Sequence, residues 1–256
     1  MCARISAKRN SAVAWLLSLL VLVAASAAQG ADCTTTRFDG APFTYCVVDL
    51  SKDELRLWRV NGDGKPYGSF DRLNQGLAEK GATLGVAMNG GMYHQDRAPV
   101  GLYIEDSRQD APIVTRSGPG NFGLLPNGVL CVGEGEAQVT ESRSFAAAAP
   151  LCRYATQSGP MLVLGGALHP RFLPDSDSLN IRNGVGVRAN GREVILAISD
   201  TRVNFHHFAR FFRDALGVAN ALYLDGRVSK LYAPELGRTD VGTPMGPILG
   251  TVKRIQ

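Results

Sequence analysis

The sequence predicts one α/β domain of mixed α+β type, a central mixed β-sheet flanked by helices with a C-terminal βαβ unit. Three observations carry this. Short apolar and β-branched runs recur along the chain, separated by turns drawn from 29 glycines and 13 prolines. Two segments place apolar residues at helical spacing. Residues 193–224 read as a β run, an amphipathic helix and a second β run in succession. At 256 residues, 45% hydrophobic and 20% charged, the chain is long enough for a real core and falls outside the disordered class.

The elements follow in order. CVVDL and ELRLWRV open a first β region, and Asn61-Gly62-Asp63-Gly64 makes a strong turn after it. A helix is expected over residues 70–79, with Gly81 beyond to end it. Strand-like runs follow at 83–88, 100–104, 123–125 and 129–132. EVILAIS, at 193–199, is the clearest strand. Asn204 is the expected N-cap of a helix whose stripe is Phe205, Phe208, Ala209, Phe212 and Leu216, closed by Gly217. ALYL, at 221–224, returns as a strand. A crossover of this kind makes the two strands parallel in one sheet and brings Asp200 and Asp225 to the same edge, where ligands usually bind.

The N-terminus is a separate matter. Residues 1–28 join Arg4, Lys8 and Arg9 to an uncharged run from Ala12 to Ala25, then small residues at 26–28. That is the pattern of a secretory signal peptide. A membrane anchor needs about 20 apolar residues, which this run reaches only if its Ser- and Ala-rich end is counted. Asp32 before Cys33 argues against lipid attachment. The expected domain is therefore 29–256, secreted or periplasmic, with no stable membrane anchor. The formal charge of +4 also changes, because removing residues 1–28 takes 27 basic residues to 24 against 23 acids. A nucleic-acid partner is excluded as the reading.

Cys33, Cys46, Cys131 and Cys152 remain after Cys2 is set aside, an even number for an oxidising compartment. Pairing 33 with 46 and 131 with 152 staples nearby segments; a zinc site is the competing use, without any C-x-x-C spacing to support it. Residues 118–123 fit G-x-G-x-x-G formally, but Pro119 and the following Pro126-Asn127-Gly128 suit a turn into a hairpin. The Asn89-Gly90-Gly91 bend offers bare backbone and an amide to a polar ligand. Arg182, before a Gly-rich strand with Asn183, is the residue type for bidentate phosphate binding. His206 and His207 fall on the polar helix face, and His94 with Asp96 lacks a third metal ligand. No cofactor is expected, and a divalent metal stays open.

NGGMY at 89–93, QSGPMLV at 157–163, RNGVGV at 182–187, the LAISD–helix–ALYLDG block at 196–226 and PMGPILG at 244–250 together resemble the phosphodiester glycosidase family. The resemblance spans about residues 45–254 and lies nearest a bacterial exported branch. It implies a hydrolase acting between a sugar's anomeric carbon and a phosphodiester, with a sugar-phosphate or phosphoglycan as partner. By position it matches Asn89, Gly90, Arg182, Asp200, Asp225 and Ser229 to family residues. The expected site then has Asp200 and Asp225 as catalytic carboxylates and Asn89, Gly90, Arg182, Asn183 and Ser229 as substrate-binding residues, joined by Asn204, where the free N–H groups of the helix N-terminus favour a phosphate. Where the family has D-G-G-G-S, this chain has Asp225-Gly226-Arg227-Val228-Ser229, so identical sugar recognition is not implied. The chemistry fits the residue types. A carboxylate answers oxocarbenium charge or activates water, and a departing phosphate wants cations and N–H groups more than a strong acid. The rival expectation is a non-catalytic phosphoglycan-binding protein on the same scaffold.

Overall fold

The computed structural model of the chain describes residues 31–255 except 189 and 226, together with residues 1 and 3. The expected signal peptide otherwise lies outside the described residues. In chain order the elements begin with β1 (Asp32–Phe38), β2 (Ala41–Asp49), β3 (Glu54–Trp58), α1 (Phe70–Ala78) and β4 (Ala82–Asn89). The middle of the chain forms β5 (Tyr103–Glu105), β6 (Arg108–Ala111), β7 (Gly128–Val132), β8 (Ala137–Glu141), α2 (Ser142–Ala148), β9 (Tyr154–Ser158), β10 (Met161–Leu164) and β11 (Ala167–Leu168). The last part holds β12 (Asn183–Val187), β13 (Glu193–Ser199), α3 (Phe205–Arg210), β14 (Asn220–Asp225), β15 (Leu231–Ala233), β16 (Arg238–Thr239) and β17 (Ile248–Arg254).

The mixed helix-and-strand class stands, but its arrangement differs from the one expected. In place of one central mixed sheet there are three sheets, ordered β1-β2-β13-β12-β14-β10-β11, β16-β15-β4-β17-β3 and β6-β5-β9-β7-β8. Every strand pairing among the described residues is antiparallel. The strand–helix–strand block does not make neighbouring strands, because β12 lies between β13 and β14 and pairs with both. The two outer strands therefore still run the same way, and Asp200 and Asp225 emerge at one end. Residues 123–125 form turn rather than strand.

Local chemistry explains the pieces that position the site. Ser69 caps α1 by accepting the Arg72 amide, and Asn204 caps α3 by accepting the His207 amide at 2.8 Å. Beyond α3, Phe211–Ala215 winds as a π-turn and Gly217, at φ +65°, closes the helix. This helix presses Phe208 and Phe212 onto β12. A Cβ on Gly184 would lie 3.2 Å from Phe208, and one on Gly186 3.1 Å from Phe212 and 2.6 Å from Val218. The glycines of this strand let aromatic rings lie against backbone. Phe43 of β2 completes the layer, stacked on Phe211 at 4.1 Å between centroids, and each buried Phe contributes roughly 1.5–3 kcal/mol. Two disulfides, Cys33–Cys46 across β1 and β2 and Cys131–Cys152 beside β7, fasten the first and third sheets. No helix among the described residues is long and apolar enough to cross a membrane.

Candidate functional site

The first and second sheets meet at the ends of β12, β14 and β4, and they meet through two asparagines. Asn89 and Asn183 are fully buried and face each other, Nδ2 to Oδ1, at 3.2 and 3.1 Å. Asn183 Oδ1 also accepts the Asp225 amide at 3.2 Å and the Ser229 hydroxyl at 3.3 Å. Asn89 Oδ1 accepts the Lys230 amide at 2.9 Å. The Ser229 hydroxyl lies 2.6 Å from the Asp225 carbonyl and 3.0 Å from that of Ile181. Four of the eight expected residues thus converge in one network. Buried amides this well satisfied hold Asp225, Ser229 and Lys230 against the two asparagines.

Asp225 stands half-buried at the end of β14, its Oδ1 accepting the Arg227 amide at 2.9 Å. Its charge reaches two tyrosines. Burial, and then the Asp225 charge, pushes Tyr93 up to about 12. Tyr223 is raised by burial too, with Arg182 pulling it down and Asp225 pushing it up. Both phenols are therefore neutral hydrogen-bonding groups near the carboxylate at neutral pH.

Asp200 occupies a different setting. Its Oδ1 accepts Arg238 Nη1 at 2.5 Å and its Oδ2 accepts the Thr44 hydroxyl at 2.8 Å. Arg238 also holds Asp240 through Nε at 3.1 Å and Nη2 at 3.0 Å. Burial pulls Arg238 down, but its bonds to Asp240 and Asp200 outweigh that and raise it. β12 separates the strands that end at Asp200 and Asp225, which puts their backbones about 10 Å apart. Asp200, Ser229, Arg238 and Asp240 line a cleft of about 870 Å³, with Arg202, Arg227 and Lys230 on its walls and floor.

Three expected ligands are placed otherwise. Arg182 is 1% exposed and does not line the cleft. Its Nε and Nη2 donate to the Val203 and Ser178 carbonyls at 2.9 and 2.8 Å, and Nη1 reaches the Tyr223 hydroxyl at 3.4 Å. Its guanidinium lies 3.6 Å above the Phe205 ring. Asn204 spends its amide on the carbonyls of Pro174 and Ser176 and its oxygen on the helix cap. The Asn204 side chain thus serves the fold, with its oxygen on the His207 amide, and has no group left for a phosphate. Gly90 donates its amide to Pro247 at 2.7 Å, and a Cβ there would come within 3.0 Å of Pro247. The Gly90 backbone meets protein, not solvent.

Thr44, Lys230, Arg238 and Asp240 escaped the sequence reading. Only Lys230 carried a signal, directly after the D-G-R-V-S segment. The others come from β2 and from a stretch without periodicity or motif. His94 and Asp96 form a tight turn in which Asp96 Oδ1 accepts the Ala98 amide. Among the described residues no cluster of three or more His, Cys, Asp or Glu is arranged to hold a metal.

Comparison with known proteins gives this geometry a family. The phosphodiester glycosidase family model matches residues 82–245, which include all eight expected site residues. The chain belongs to the phosphodiester glycosidase family. YigE, an uncharacterized Escherichia coli (strain K12) protein, is 34% identical over 186 residues, 73% of this chain and 72% of that one. Among solved structures, the fold is shared with the catalytic domain of zebrafish N-acetylglucosamine-1-phosphodiester α-N-acetylglucosaminidase, auto-inhibited by its pro-peptide. That match has a TM-score of 0.58 at 14% identity, over 90% of this chain and 85% of that one. A hypothetical Synechocystis protein aligns with a TM-score of 0.57 at 14% identity over 88% of this chain, which spans 62% of its length. At such identities these structures speak for the family fold alone.

Proposed function

We propose that this phosphodiester glycosidase-family chain is an exported hydrolase that cleaves the bond between a sugar's anomeric carbon and a phosphodiester. The observation that carries the reading is Asp225. It is a half-exposed carboxylate whose backbone is held by Asn183 and Ser229, with two neutral phenols near it and, two residues on at Arg227, the start of a cationic cleft. In this reading the Asp225 carboxylate faces the anomeric carbon and answers the positive charge that grows there. Arg227, two residues on, meets the scissile phosphate, whose departure needs charge stabilisation more than a proton. Asp200 acts through Arg238, since both its oxygens are already engaged. Arg182 positions Tyr223 beside Asp225 and touches no substrate.

The test is hydrolysis of a panel of sugar-1-phosphodiesters by purified wild type and Asp225→Asn. The expected loss in kcat is about 10²–10⁴-fold. An Asp225→Asn protein that folds normally and keeps the wild-type rate overturns the assignment. Export is tested by cell fractionation and N-terminal sequencing of the recovered protein. A second reading has an observation of its own: Val228, in place of a family glycine, packs against the cluster around Trp58 and Phe70. It makes the chain a phosphoglycan-binding protein, and saturable binding of the panel with no turnover by wild type would favour it.

A further inference from the structure

The cleft lined by Arg227 and Ser229 carries more positive charge than one phosphodiester needs. Its charged walls are Arg202, Arg227, Lys230 and Arg238 against Asp200 and Asp240, a balance of two positive charges. Arg238 is neutralised by its two aspartates. Among the described residues, Arg202, Arg227 and Lys230 form no ion pair within 4.0 Å.

Lys230 is the informative one. It is 6% exposed, and its ammonium donates to the Thr243 carbonyl at 2.7 Å. An ammonium has three donors, so two remain beyond that contact. Burial pulls Lys230 below the ordinary lysine value, with only Asp240 pushing back from a distance. Burying an ammonium without a carboxylate partner is costly, and an anion in the cleft relieves that cost. Arg202, exposed on the wall that follows β13, faces the same space.

We propose that Lys230 and Arg202 form a second anion subsite, and that the substrate is a sugar joined to its alcohol through a diphosphate rather than a single phosphate. The charge decides between the two, since a phosphodiester brings one negative charge and a diphosphate diester brings two. This rests on the hydrolase reading above. In the reaction the oxygen of water bonds to the anomeric carbon. The bond from that carbon to the diphosphate oxygen breaks, its electron pair leaves with the diphosphate ester, and one proton of water passes to solvent.

Two measurements test it. The first is calorimetric titration of the purified protein with inorganic diphosphate and with inorganic phosphate. Diphosphate should bind more tightly than phosphate, and Lys230→Met and Arg202→Ala should each weaken it about tenfold or more. Arg202→Ala changes an exposed side chain, so it reports even where Lys230→Met fails to fold. No diphosphate binding by wild type, or equal binding by Arg202→Ala, overturns the subsite. The second is the ratio of kcat/KM for a sugar diphosphate ester over the matching sugar phosphodiester. It should exceed about ten in wild type and fall toward one in Arg202→Ala; a ratio near one in wild type overturns the substrate class. If neither ester is cleaved while diphosphate binding stays sensitive to both substitutions, the subsite holds and the hydrolase reading falls.

Discussion

At Arg182 the cost of a charge meets the demands of three separate segments. The guanidinium is buried with no carboxylate beside it among the described residues, and burial pulls its pKa down. It is held instead by two carbonyls, a phenol and the face of Phe205. Its fork joins the 178–182 loop to Val203 before α3 and to Tyr223 on β14. Arg182→Met is expected to cost roughly 2–5 kcal/mol, because the Ser178 and Val203 carbonyls lose their donor. Arg182→Lys should recover only part of that, since one ammonium cannot reproduce a planar fork. Urea denaturation with both variants checks this, and wild-type stability in Arg182→Met refutes it. The residue was legible in RNGVG, but its surroundings were not. Whether an arginine meets solvent or a ring depends on Phe205 and Tyr223, 23 and 41 positions away.

Elements were legible where local chemistry sets them, and their neighbours were not. α3 shows the contrast. Its N-cap, its Phe stripe and its closing glycine were all present in the residues from Asn204 to Gly217. The strand beside β13 was not, because alternation marks a strand without naming its partner. β12 lies between β13 and β14, so a crossover that reads as one unit in sequence is split in space. The same limit hid Arg238 and Asp240, which join the site only because β16 pairs with β15 and β15 with β4. Asn204 itself serves two elements, capping α3 and holding the 174–176 loop. Asn204→Ala should therefore exceed an ordinary cap loss of about 1 kcal/mol. Asn204→Asp keeps the cap acceptor and loses both loop donors, so its stability should fall between wild type and Asn204→Ala. If chemical denaturation finds Asn204→Asp as unstable as Asn204→Ala, the cap contributes nothing measurable.

Across the whole molecule, three sheets close around one core, and a few buried titratable groups make their union sensitive to acid. His169 is 3% exposed, stacks on Phe172 at 4.7 Å and, through Nδ1, accepts the Arg171 amide. Phe172 in turn stacks on Phe205, the ring beneath Arg182. Burial holds His169 below its ordinary value of 6.5, with a weaker opposing pull from the Leu125 carbonyl. The folded state thus binds fewer protons than the unfolded chain once pH falls through about 6.5. Its contribution to stability is complete above that pH and is lost below it, at most about 1.4 kcal/mol per pH unit. His206, also held low by burial and by Arg210, acts in the same window. The lowered carboxylates Asp106 and Asp214 act only at lower pH, since their ordinary value is 3.8. Melting curves between pH 8 and 5.5 should show Tm falling below pH 6.5 in wild type, less steeply in His169→Gln, and least in the variant that also carries His206→Gln. An unchanged slope in the double variant would place the acid sensitivity elsewhere than in these two histidines.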